Sequence, residues 1–119
     1  MLTDMEDVVA IEENFTLEEV IEVVKKEPRS RIPVYRQFRT NIIGLVYLKD
    51  LLLKMGQVDE EDKFIIKKHP EIIRKPYIVF TDNKVTNVLK DMRHKRIHIA
   101  IVNDKDQKTA GIITIEDLI

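Results

Sequence analysis

Apolar and polar positions follow two rhythms along this chain, and the order of those rhythms repeats. Val8-Val9-Ala10-Ile11 is a short apolar run that predicts a strand, closed by a polar turn at Glu12-Glu13-Asn14. Thr16 with Glu19 three residues later predicts a capping box that opens a helix. Leu17, Val20, Ile21 and Val24 then form one apolar helical stripe, with Glu18, Glu19 and Glu22 early and Lys25 and Lys26 late, as the helix dipole favours. Pro28 ends that helix. Ile32-Pro33-Val34-Tyr35 is a β run, with Pro33 placing it at an edge or a strand start. Residues 37–41 read as a polar turn and 42–47 as the return strand. Leu51, Leu52 and Met55 predict a short helix that stops at Gly56.

Residues 57–75 read as a connector, with one helical turn around Phe64, Ile65 and Ile66. Its Asp59-Glu60-Glu61-Asp62 run is a solvated patch, lacking the alternating ligands and Gly of a calcium loop. After it the first order returns: a strand over 76–80, a turn at Thr81-Asp82-Asn83, and a helix whose stripe is Val85, Val88, Leu89 and Met92. Each stripe residue stands 68 after its counterpart in the first helix. A strand over 97–102, a polar turn over 103–108 and a return strand over 110–113 complete the second copy.

Ile43-Gly44-Leu45-Val46-Tyr47-Leu48-Lys49-Asp50 and Ala110-Gly111-Ile112-Ile113-Thr114-Ile115-Glu116-Asp117 end the two copies, with Gly and Asp each 67 apart. The step from 68 to 67 predicts one residue fewer between helix and strand in the second copy. The expected architecture is α+β: two β-α-β-β-α repeats, 1–56 and 76–119, joined by the 57–75 connector. Each is too small to bury much surface alone, so they are expected to pack sheet to sheet with pseudo-twofold symmetry. Such a pairing leaves clefts at the strand ends that suit ligands. The last helix stops at Ile119 while its counterpart runs to about Met55, which reads as a piece cut from a longer protein.

Composition narrows the function. The 119 residues carry a net charge of −1, so no global basic field draws the chain to nucleic acid. There is no cysteine, which removes disulfides, thiolate nucleophiles and Cys-based zinc sites. No apolar run approaches the roughly 20 residues of a membrane span, so a soluble piece is expected. Ser30 is the only serine, and no elbow or oxyanion loop accompanies it, so no enzyme is expected. Asp91, His94 and His98 have a metal-like spacing, but the helix should end near His94 and put His98 on the next strand, so no metal site is read there. Arg93, His94, Lys95 and Arg96 form a cationic helix end that complements the dipole.

Gly-hydrophobic-hydrophobic-Thr-x-x-Asp at the end of such a unit resembles the cystathionine-β-synthase (CBS) domain, which usually occurs as a tandem pair. Ser30-Arg31-Ile32-Pro33-Val34-Tyr35, Ile43-Gly44 through Asp50-Leu51-Leu52, His98-Ile99-Ala100-Ile101-Val102, and Ala110-Gly111 through Glu116-Asp117 together resemble the CBS pairs of CorC/HlyC-like, cyclin-M-related proteins. The family's acidic-aromatic-glycine turn is replaced here by Asn103-Asp104-Lys105-Asp106-Gln107-Lys108, so contacts made through that turn do not carry over. The resemblance implies a cytosolic regulatory fragment at the cytoplasmic face of the membrane. Its neighbours in the parent chain would be a membrane domain and a C-terminal accessory domain of a magnesium/cobalt efflux or haemolysin-like protein. It also implies homodimerisation through the CBS pairs and an adenine nucleotide as ligand, AMP or ATP, with or without Mg²⁺.

The residues offer matching chemistry. Asp117 can accept hydrogen bonds from both hydroxyls of a ribose, and Thr114 adds a hydroxyl where exposed N–H groups and the helix dipole favour phosphate. Ile112, Ile32 and the first strand can wall an adenine. By resemblance, Ser30 and Arg31 face Thr114 and Asp117, with Arg31 and His98 as phosphate contacts. Thr114-x-x-Asp117 is equally a capping arrangement that a helix wants with no ligand at all. In the first copy Tyr47 replaces the hydroxyl and only Asp50 remains, so a weaker second site is expected there. A ligand-free dimerisation module is the alternative function.

Overall fold

The computed structural model describes residues 2–57 and 64–115. These residues form seven strands, three α-helices and three 3₁₀ turns, in two sheets. The chain divides into two compact units. The first-half unit is Val9–Lys75; the second-half unit joins residues 2–8 to residues 76–115.

In the first-half unit, β2 (Ile11–Glu12) runs parallel to β3 (Arg31–Arg36), which pairs antiparallel with β4 (Phe38–Tyr47). Between β2 and β3 lies α1 (Leu17–Lys26), opened by the expected capping box: Thr16 Oγ1 accepts from Glu19 N, and the Glu19 carboxylate accepts from Thr16 N. α2 (Leu48–Gln57) follows β4 directly. It does not stop at Gly56. That glycine lies inside the helix with nothing near where a side chain would be, so it costs propensity without ending the element.

The core of this unit gathers Ile11, Val20, Ile32, Val34, Val46 and Leu51 with Phe64, Ile66 and Ile72. Those last three lie in the stretch read as a connector. Its described part has two 3₁₀ turns, Ile66–Lys68 and Pro70–Ile72, and supplies core side chains. The acidic run 59–62 lies outside the described residues. Glu13, only 2% exposed, ties the unit's edge together: its carboxylate accepts from Arg36 Nε at 3.0 Å, and its backbone pairs with Tyr35 and Lys67.

The second-half unit repeats the order. β5 (Ile78–Phe80) is parallel to β6 (Ile99–Asn103), α3 (Val85–Lys95) connects them, and β7 (Thr109–Thr114) returns antiparallel to β6. A fourth strand, β1 (Leu2–Asp4), closes the other edge against β7. The core is Val79, Val88, Met92, Ala100, Val102, Ile113 and Ile115. In both helices only part of the predicted stripe is buried: Val20 in α1, and Val88 and Met92 in α3. Ile21 is 38% and Val85 44% exposed, because a stripe this wide is flanked by core contact on one side only.

Two expectations are corrected by the strand register. Val34 pairs with Gly44 and Val102 with Gly111, so the 68-residue offset still holds across β3 and β6 and becomes 67 only in the following strand. The missing residue therefore lies in the hairpin, not between helix and strand. The polar turn of the first hairpin is also shorter than 37–41. Gln37 alone turns, at φ 66°, and β4 starts at Phe38. In the second hairpin Gln107 takes the left-handed conformation at φ 62°, where glycine is the usual choice. Asp104 holds that loop by accepting from Asp106 N at 2.8 Å and Lys108 N at 3.0 Å.

Candidate functional site

Both units end their hairpins in the same way. Leu48 N donates to Ser30 O at 2.9 Å in the first half, and Ile115 N donates to His98 O at 3.2 Å in the second. The residue before each donor is the repeat's site position, Tyr47 or Thr114. Register sets Arg31 opposite Tyr47 and Ile99 opposite Thr114.

In the second-half unit this brings three of the expected residues together. Thr114 and Ile112, two apart on β7, share its half-buried face, while Ile113 between them enters the core. His98 sits at the mouth of β6, half-buried, with its carbonyl fixed by Ile115. Asp117 lies outside the described residues. Beside His98 opens a cleft of about 840 Å³ lined by Leu89, Lys90, Arg93, His94, Arg96, His98 and Ile115. No acid is among its described lining residues. The cationic end of α3 therefore does more than answer the helix dipole: it forms one wall of a cavity. Arg96 caps α3 in the left-handed conformation, at φ 57°.

In the first-half unit Ser30 is exposed, Arg31 is half-buried and Ile32 is fully buried in the core. At 0% exposure Ile32 presents no atom to solvent, so its place is in the core rather than on a ligand surface. Two cations approach the Tyr47 ring, with the Arg74 guanidinium 4.1 Å and the Arg31 guanidinium 5.4 Å from its centre. Arg74 Nη2 also donates to Asp50 Oδ2 at 2.9 Å, which raises the Arg74 pKa above its ordinary value. Next to this pair Lys54 Nζ meets Glu71 Oε1 at 2.6 Å and holds the Glu71 carboxyl below the usual carboxylate range. Sequence reading missed Arg74 altogether. It lies 24 positions from its carboxylate partner in a stretch without periodicity, and nothing local marks it.

Comparison with known proteins matches this geometry to a family. The CBS-domain family matches residues 3–56 and 71–119. The chain belongs to the CBS family.

Its relatives place this CBS pair more closely. Hemolysin C of Brachyspira hyodysenteriae is 37% identical over 114 residues, 95% of this chain and 39% of that protein. The magnesium and cobalt efflux protein CorC of Escherichia coli K12 is 32% identical over 111 residues, 93% of this chain and 36% of that protein. The chain thus spans well under half the length of these curated relatives. Among solved structures, the CBS domain of the bacterial CNNM/CorC family Mg²⁺ transporter in complex with ATP is similar at TM-score 0.77 and 35% identity. That match covers 98% of this chain and 80% of that one. The CBS pair described here is therefore of the CorC and hemolysin C type. No helix among its described residues is long and apolar enough to cross a membrane.

Proposed function

We propose that this CBS pair is a non-catalytic regulatory module that binds an adenine nucleotide. The module would act at the cytoplasmic face of a CorC- or hemolysin-like membrane protein, whose membrane domain it biases. The observation that carries this reading is the cleft beside His98, where Lys90, Arg93 and Arg96 supply positive charge and no acid is among the described lining residues. Such a wall suits the phosphates of a nucleotide. Ile112 and Thr114 do not line that cleft; with Asp117 they are the second half's candidates for the adenosine, and Ser30 and Arg31 are the first half's candidates. The ATP complex of a 35% identical relative supports the choice of ligand. Regulation follows if nucleotide affinity differs between two arrangements of the module, since only a differential affinity shifts a population.

A second reading, a dimerisation module, has its own support. Ile21 on α1 and Leu52 and Leu53 on α2 are 38%, 53% and 58% exposed, apolar residues that a second copy would cover. The two readings are compatible.

Calorimetric titration with AMP, ADP and ATP, with and without Mg²⁺, tests the first. Saturable binding that is lost in a folded Asp117→Ala variant is expected. No heat from any of the three, with the protein folded and dimeric by sedimentation, would leave dimerisation as the function.

A further inference from the structure

The two units share a strand-end geometry but differ in the residue that stands across from it. In the second-half unit Thr3 of β1 pairs with Ile112. The residue 67 before Ile112 is Leu45, and its bridge partner is Arg74. Two backbone hydrogen bonds fix Arg74 there: Arg74 N to Leu45 O at 2.7 Å and Leu45 N to Arg74 O at 3.0 Å. From that anchor its guanidinium reaches both groups that the repeat assigns to a ligand. It donates to Asp50 at 2.9 Å and lies 4.1 Å from the centre of the Tyr47 ring. A hollow of about 360 Å³ remains beside it, bordered by Asp50, Lys54, Glu71 and Arg74.

We propose that Arg74 is an internal occupant of the first-half site, taking the carboxylate of Asp50 and the face of Tyr47 that a nucleotide would otherwise use. The inference rests on the nucleotide reading of the repeat. A ribose needs the carboxylate oxygens as acceptors, and a guanidinium donating to them competes directly. An adenine would stack on Tyr47, and Arg74 covers that ring. Because Arg74 is tethered, it competes at an effective concentration of roughly millimolar or above, which a free nucleotide has to exceed. Thr3 carries no charge, so the matching place in the second-half unit supplies no counter-ion for a carboxylate. The chain is thereby restricted to one nucleotide site, and the restriction lies in one side chain rather than in the fold.

Calorimetric stoichiometry with Mg-ATP tests this on four proteins: the native chain, Arg74→Thr, Arg74→Gln, and Arg74→Thr combined with Asp117→Ala. The Arg74 side chain is 51% exposed, so folding should survive either change, and circular dichroism verifies it. The expected result is one ATP per native chain, two for each single variant and one for the double variant. A stoichiometry of one in both Arg74 variants, with the native site intact, overturns the inference and leaves the nucleotide reading standing. A native chain that binds nothing beside Arg74 variants that bind one ATP does the reverse: Arg74 is the occupant and the second-half site fails. If none of the four binds ATP, both fall.

Discussion

Gly44 and Gly111 occupy the same place in the two halves of the repeat, and the comparison explains why each is glycine. Neither has a positive φ, so conformational freedom is not the reason. Each instead lies under a segment from outside its own hairpin. Over Gly111 passes β1, with Asp4 opposite it and the Thr3 carbonyl oxygen where a Cβ would point. Over Gly44 pass Ile73 and Arg74, with the Ile73 side chain and the Arg74 carbonyl oxygen in the way. The first contact is a three-residue strand pairing and the second a single bridge. The repeat thus preserves an opening in the sheet edge, and each half fills it differently.

That difference has a measurable consequence. Gly111→Ala drives its methyl group into backbone that β1 pairing holds in place, and overpacking of this kind costs about 1–3 kcal/mol. Gly44→Ala meets first the Cγ2 methyl of Ile73, a side-chain atom rather than backbone, and then a carbonyl at 3.0 Å, so its cost should fall below that of Gly111→Ala but within that range. Urea denaturation of both variants gives the order. Equal losses would mean that β1 yields as easily as the Ile73 side chain. Gly56→Ala is the control, since nothing lies within 4 Å of its added carbon. Inside α2 it should raise stability by about 0.5–1 kcal/mol. A loss there instead would mean that the helix end, not close approach, governs the glycines of this chain.

The glycine contrast also marks what could be read from sequence. The 67-residue spacing located both glycines, and the capping box at Thr16 and Glu19 and the helical stripes were legible because local spacing dictates them. β1 was not. Leu2-Thr3-Asp4 has no period, and its partners Gly111, Ile112 and Ile113 lie at the other end of the chain. The core role of Phe64, Ile66 and Ile72 was hidden for the same reason, since 3₁₀ turns leave no sustained apolar rhythm. At the site, Thr114 and Ile112 were named from the pattern that ends the repeat, and His98 from the family resemblance. Arg74 and the cleft wall made by Lys90, Arg93 and Arg96 required the fold, because cations at a helix end read alike whether they face solvent or a cavity.

The smallest expected effect belongs to the ion pair next to Arg74, and it separates the packing of the Gly44 edge from its charges. Lys54 lowers the Glu71 pKa chiefly through its hydrogen bond, helped by the residue's own backbone and by His69. A carboxylate whose folded pKa is depressed adds stability above its unfolded pKa and loses it as pH falls through the folded value. The stabilisation should therefore be complete at neutral pH and fade below about pH 4, the ordinary glutamate range. Glu71 is half exposed, so the change will be small and sensitive to salt. Thermal unfolding between neutral and acid pH should show a shallower acid decline for Glu71→Gln than for the native chain. The gap should close at about 1 M salt, where screening acts within roughly 3 Å. A native acid decline that Glu71→Gln leaves unchanged would mean that the Lys54–Glu71 pair adds nothing measurable to stability.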